Sequence, residues 1–222
     1  MTSVPTATPP PSMAGLQHAV DEFGAYQGPE KSWLAFTAAT APAADFTRAA
    51  HRKAAHTWLN AWTCRIRYPR PGEPDVFGAG LSAWWRTWRT SLPPMDVSLS
   101  ELSDAQVAAA GDCFAALTAS PAAQTKTVRT FGPTAASKLM YALRPKALLP
   151  WDEMIATTLH GTRDRAAYVA HLRLARAWAQ ALLTESGVDE DALCARLGRP
   201  GRTLAKLLDE YCYIVYTRDA GK

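Results

Sequence analysis

The residues best equipped for chemistry lie between Thr125 and Ile155, in the run TKTVRTFGPTAASKLMYALRPKALLPWDEMI. The pattern predicts a helix, a tight turn at Phe131-Gly132-Pro133, and a second helix from Thr134 to Leu143. Gly132 supplies the unusual backbone angles of a hairpin. Pro133 suits the first helical position, where no N–H partner is needed. The amides that follow would stand open at a helix N-terminus, where they and the helix dipole favour a phosphate. Thr134, Ser137, Lys138 and Tyr141 fall on one polar, partly cationic face, and Lys126, Arg129, Arg144 and Lys146 add positive charge nearby. Gly132, Pro133, Thr134, Lys138, Lys126 and Arg129 are therefore the candidate contacts to a nucleic-acid backbone. An ordinary helical hairpin with solvated lysines has the same spacing.

Asp152 follows in Pro150-Trp151-Asp152-Glu153, where Pro145 and Pro150 bracket an extended link and Asp152 opens a new helix. One role for it is a plain N-cap. The other is a carboxylate at a helix start that faces a pocket floored by the hairpin helix.

The remaining motifs exclude more than they assign. The histidines form no ligand set, and Cys64, Cys113, Cys194 and Cys212 are scattered without a C-x-x-C pair. No metal site is expected, and buried free thiols are. The chain carries no G-x-S-x-G, P-loop or dinucleotide-binding fingerprint. Gly198-Arg199-Pro200-Gly201-Arg202-Thr203 reads as a turn between two short helices, with a second phosphate contact as the other option.

Helical spacing dominates the elements that must position these residues, and strand-like alternation is almost absent. Helices are expected near residues 16–26, 32–37 and 45–67, then around Trp84-Trp85-Trp88, after Ser103, over 163–185, at 190–197 and over 203–216. On the 45–67 helix, Phe46, Ala50, Ala54, Trp58, Trp62 and Ile66 make an apolar stripe, with Arg48, His51, Arg52, Lys53 and His56 on the other sides. The expected fold is all-α, a compact multi-helix domain or two lobes sharing a core. Residues 1–14 read as a disordered Pro/Thr/Ser/Ala tail, 15–222 as one helical domain, and about 122–144 as the helix-hairpin-helix.

The stretch from Thr130-Phe131-Gly132-Pro133-Thr134 to Pro150-Trp151-Asp152 resembles the signature of the helix-hairpin-helix base-excision DNA glycosylases, over roughly thirty residues. In that family a glycine hairpin and a helix are followed by a Pro-x-Asp some twenty residues on. The resemblance implies that Asp152 is the catalytic carboxylate, stabilising positive charge at the sugar C1′ as the N-glycosidic bond breaks. It implies a flipped nucleotide, and so stacking rings. Trp151 and Tyr141 are the nearest in sequence; Trp84 and Trp85 are a second supply, on a spacing that also describes core. Lyase-active members resemble one another in a lysine just after the hairpin, where this chain has Thr134; Lys138 lies one turn later, too far along the helix to replace it. A monofunctional, water-using reaction on a damaged or modified base is implied, in repair or in defence against foreign DNA. No cofactor is implied beyond a possible monovalent cation at the hairpin, and the family's iron–sulfur cysteines are absent. Two other readings stand beside this one: a non-catalytic DNA-binding module that keeps the hairpin, and a helical interaction protein without a nucleic-acid role.

The net charge of +4 and pI near 8.9 fit an anionic partner. No apolar stretch approaches the ~20 residues needed to span a bilayer, and no basic-then-apolar leader opens the chain. DNA is the expected partner, and the expected location is cytoplasmic, nucleoid-associated if DNA is bound.

Overall fold

The computed structural model describes residues 8–218, apart from the side chains of residues 27–29. Ten α-helices run in the order α1 (Met13–Phe23), α2 (Gln27–Thr40), α3 (Ala49–Ala61), α4 (Val76–Trp88), α5 (Asp104–Ala119), α6 (Gly132–Leu143), α7 (Glu153–His160), α8 (Arg165–Ser186), α9 (Glu190–Arg196) and α10 (Leu204–Tyr213). Among the described residues the only sheet is a hairpin of β1 (Pro121–Gln124) and β2 (Val128–Thr130), antiparallel between α5 and α6. No helix among them is long and apolar enough to cross a membrane.

The elements form where their sequences direct. α5 starts in a capping box: Ser103 Oγ accepts the Gln106 amide, and Gln106 returns a bond to the Ser103 amide. Val107, Ala110, Phe114 and Leu117 recur at helical spacing along it and are fully buried. α8 does the same with Tyr168, Leu172, Ala175, Ala179 and Leu182. α5 packs on both α6 and α8. The long α8 thus backs α5, and α5 backs the helix that carries the candidate site.

Three sequence expectations change. The helix expected before Gly132 is the β-hairpin, so the helix-hairpin-helix read over 122–144 is a strand pair followed by a helix. Pro121 forbids continuation of α5 and pulls Ser120 into extended backbone (ψ 141°). Thr125, Thr127, Val128 and Thr130 are β-branched and favour a strand. The hairpin lies close on α4, where a Cβ at Gly80 would collide with the Pro121 carbonyl oxygen.

The stripe read on α3 also shifts. His51, Ala55, His56, Trp58 and Leu59 are buried, while Ala50 is exposed and Trp62 half-buried. The helix spans Ala49–Ala61 rather than 45–67, so Phe46 and Ile66 are buried from outside it, and within it a four-residue repeat drifts around a 3.6-residue turn. His51 Nδ1 accepts the Asp45 amide, and the His56 ring lies between Tyr68 and Phe77.

Finally, the boundary of the tail moves toward the N-terminus. Ser12 caps α1, Pro11 is buried, and the Thr8 carbonyl accepts the Trp178 indole N–H. Of the segment read as disordered, residues 8–14 belong to the fold and residues 1–7 lie outside the described chain.

Candidate functional site

The turn that opens α6 is as expected at Gly132, with φ +70°. No heavy atom lies within 4 Å of the place a Cβ would occupy, so the turn faces open space. No side chain caps this helix start, and Pro133 sits in its first turn. The leading amides of α6 are therefore without a side-chain partner, as an anion site requires.

One turn on, Ser137 is fully buried and bolts α6 to the link before Asp152. Its Oγ accepts the Trp151 amide at 3.2 Å and lies 3.2 Å from the Trp151 carbonyl oxygen. Asp152 is then fixed twice. Oδ1 accepts the Ile155 amide at 2.8 Å, capping α7, and Oδ2 accepts the Thr217 hydroxyl at 2.8 Å. The N-cap role and the cavity-facing role proposed for Asp152 both hold, because the half-buried carboxylate also lines a cavity of about 240 Å³.

Lys138 lines the same cavity from α6, with Nζ donating to the Trp62 carbonyl oxygen at 2.7 Å. That carbonyl ends α3, where Thr63 and Arg65 both take positive φ (64° and 53°). Such angles are costly for a β-branched residue and recur where function fixes the backbone. From α10, Lys206 and Asp209 complete the wall, with Lys206 Nζ 2.7 Å from Asp209 Oδ2. Burial pushes the Asp209 carboxyl up, opposed by Lys206 and Lys138 and reinforced by Asp152. Two ammoniums and two carboxylates thus converge on one small hollow walled by Phe23, Tyr26, Trp62 and Tyr213.

A larger cavity of about 520 Å³ adjoins it, sharing Phe23, Tyr26, Trp62 and Lys206. Trp33 and Tyr141 lie 5.1 Å apart by ring centroids within it, and Trp62 stacks at 6.2 Å from Tyr141. Glu210 of α10 lines it, with the Arg202–Glu30 ion pair and Arg199 nearby. Its size falls within the usual range for small-molecule sites.

The expected site residues divide accordingly. Asp152 and Lys138 come together, Gly132, Pro133 and Thr134 lie at the start of the same helix, and Tyr141 reaches the larger cavity although nearly buried. Lys126 and Arg129 are exposed on the β-hairpin and line neither cavity.

Of the four rings expected in a base pocket, Trp84 and Trp85 are core instead, and Trp151 is a core residue that also borders the smaller cavity. Trp151 is 1% exposed, with its ring against Phe114, Tyr168, His160 and His171. It nevertheless belongs to the wall of the smaller cavity, beside Asp152. Trp84 and Trp85 are buried and donate their indole N–H groups to the Cys113 carbonyl and to Asp45. Adjacent on α4, the two rings diverge: Trp84 turns to Cys113 of α5, and Trp85 to Asp45 and Phe46 just before α3.

Five further rings that line the cavities, Phe23, Tyr26, Trp33, Trp62 and Tyr213, were missed as site residues, as were Lys206, Asp209 and Glu210. For the last three a signal exists: LAKLLDEYCYIV sets three charges at i, i+3 and i+4 inside an apolar run. Charged side chains that must be buried are kept only when paired or used.

Among the described residues no group of three or more His, Cys, Asp or Glu could hold a metal ion. No protein-family model, curated protein or solved structure matches the chain. The class that fold and site define is a mostly α-helical protein with an uncapped helix start beside a charged, aromatic-walled cleft.

Proposed function

We propose that this chain binds DNA and hydrolyses the N-glycosidic bond of an extruded, damaged or modified base. One observation carries the reading: Asp152, oriented by the Ile155 amide and the Thr217 hydroxyl, shares its cavity with Lys138 while the open turn at Gly132 begins the helix that bears Lys138. Six residues separate Gly132 from Lys138, roughly 9 Å along a helix. That span suits a phosphate gripped at one end and its sugar at the other.

In this scheme the α6 amides hold the backbone phosphate. The aromatic cleft receives the base after it leaves the duplex. As the C1′–N bond lengthens, positive charge grows on the sugar and Asp152 stabilises it. Water adds its oxygen to C1′; the bonding pair leaves with the base, and the water's proton passes to a carboxylate and then to solvent. Asp209, whose affinity for a proton burial raises, stands beside Asp152 for that relay. Lys126 and Arg129 supply long-range attraction from the hairpin, without touching the site.

A second route is favoured by the position of Lys138. It occupies the cavity that holds Asp152, so its amine, once deprotonated, could attack C1′ in place of water.

The test is release of free bases from duplexes carrying single modified bases, read by mass spectrometry. Wild type should release at least one, and Asp152→Asn none, with duplex binding retained. Borohydride trapping of a protein–DNA adduct in wild type, absent in Lys138→Ala, selects the amine route. Intact binding with no base released across the set would reduce the chain to a DNA-binding module.

A further inference from the structure

The wall of the larger cavity contains a buried carboxylate with one oxygen unpaired. Glu210 is 4% exposed, lines the cavity, and its Oε2 is buried without a hydrogen-bond partner. Its other oxygen lies 3.7 Å from Lys206 Nζ, which is more tightly engaged at 2.7 Å with Asp209. A buried oxygen stripped of water and left unpaired is costly. A ligand that brings a donor to that oxygen would remove the cost. The neighbouring walls say what carries the donor: Trp33, Trp62 and Tyr141 present aromatic surface around the same hollow. Flat, π-faced and N–H-bearing describes a nitrogen heterocycle.

We propose that the larger cavity holds the extruded base and that Glu210 Oε2 accepts a hydrogen bond from its exocyclic amino group, so that the site selects amino-bearing bases over their carbonyl counterparts. This rests on the reading of the cleft as a base-binding site. Burial raises the proton affinity of Glu210, opposed by Lys206, reinforced by Asp209 and opposed again by Arg199 and Arg202, with a net shift upward; an oxygen without a proton is an acceptor in either state of the carboxyl. As an acceptor it rewards an amino group. A carbonyl oxygen in the same place would meet it lone pair to lone pair. A single hydrogen bond to a charged group is worth roughly a 10- to 100-fold preference.

Quenching of tryptophan fluorescence by free nucleosides tests this without DNA and without catalysis, since Trp33 and Trp62 line the cavity. Adenosine and cytidine should bind about 10-fold or more tightly than inosine and uridine. Glu210→Gln, whose amide can both donate and accept, should narrow each pair to within about 3-fold. Trp33→Ala should weaken all four together and leave the preference intact. Equal binding of paired nucleosides to wild type overturns the proposal. So does a preference that survives Glu210→Gln, or failure of every nucleoside to bind. Base release lost in Asp152→Asn together with equal nucleoside binding would sink only the assignment of Glu210. Discrimination without base release would sink only the catalytic reading.

Discussion

Acid should destabilise this fold through one histidine that sits directly behind the proposed catalytic turn. His171, on α8, is 1% exposed; its Nδ1 lies 3.1 Å from His160 Nε2, and its Nε2 has no partner. The Trp151 ring packs 5.4 Å away. Burial, and secondarily His160, push the His171 pKa down from 6.5 to about 3. The folded state therefore refuses a proton that the unfolded chain accepts. Above pH 7 both states are neutral and nothing is lost. Below the unfolded value of about 6.5, stability falls by up to roughly 1.4 kcal/mol per pH unit, and the loss stops near pH 3 when both states are charged. At pH 5 the cost is about 2 kcal/mol.

His160, His51 and His56 are lowered as well and act with the same sign. The raised carboxyls of Asp209, Glu210 and Glu190 take up protons more readily when folded, and so act against it. A variant isolates the one residue. His171→Phe keeps a ring beside Trp151 and has no proton to gain. In urea titrations followed by tryptophan fluorescence, wild type should lose about 2 kcal/mol more than His171→Phe between pH 7 and pH 5. Parallel losses in the two proteins would refute the reasoning. Protonation should also disturb Trp151 and, through the peptide it shares with Asp152, the carboxylate itself; activity should then fall ahead of global unfolding.

Four further outcomes follow from the site. Ser137→Ala removes the bolt between α6 and the Trp151 backbone; a loss of about 1–3 kcal/mol is expected in urea unfolding, and an unchanged midpoint would show the contact idle. Thr217→Val frees Asp152 Oδ2, so base release should slow about 10-fold while duplex affinity stays constant, as electrophoretic shifts can check. Gly132→Val forces a β-branched residue to positive φ, costing about 1–2 kcal/mol or more in thermal stability and weakening DNA binding. Lys126→Ala with Arg129→Ala should lower the slope of log K against log salt by up to about 2, leaving any sequence or base preference unaltered; an unchanged slope would remove the β-hairpin from the interface.

Much of the architecture was legible because it depends on local periodicity. The buried faces of α5 and α8 follow from 3.6-residue spacing alone, and the caps at Ser103 and Asp152 from residue type at a helix start. Gly132 announced its left-handed backbone because few other residues take it without strain. The β-hairpin was not read, because strands of three and four residues are too short to show alternation; the Pro121 stop and the β-branched run after it are its local marks.

Only the folded chain could decide which rings and charges meet. Nothing local separates Trp33 from Trp151, yet one is a half-buried ring on the larger cavity and the other is packed against Phe114 and Tyr168. The difference lies in what packs across from each: Tyr141 of α6 for Trp33, and Phe114 of α5 with Tyr168 of α8 for Trp151. The cleft joins α1, α2, α3, α6 and α10, so Lys138 met Asp209 and Lys206 only when α10 closed on the rest. Periodicity fixes the face a side chain occupies on its own helix; the partner opposite that face is chosen by long-range packing, for which one sequence carries no local mark.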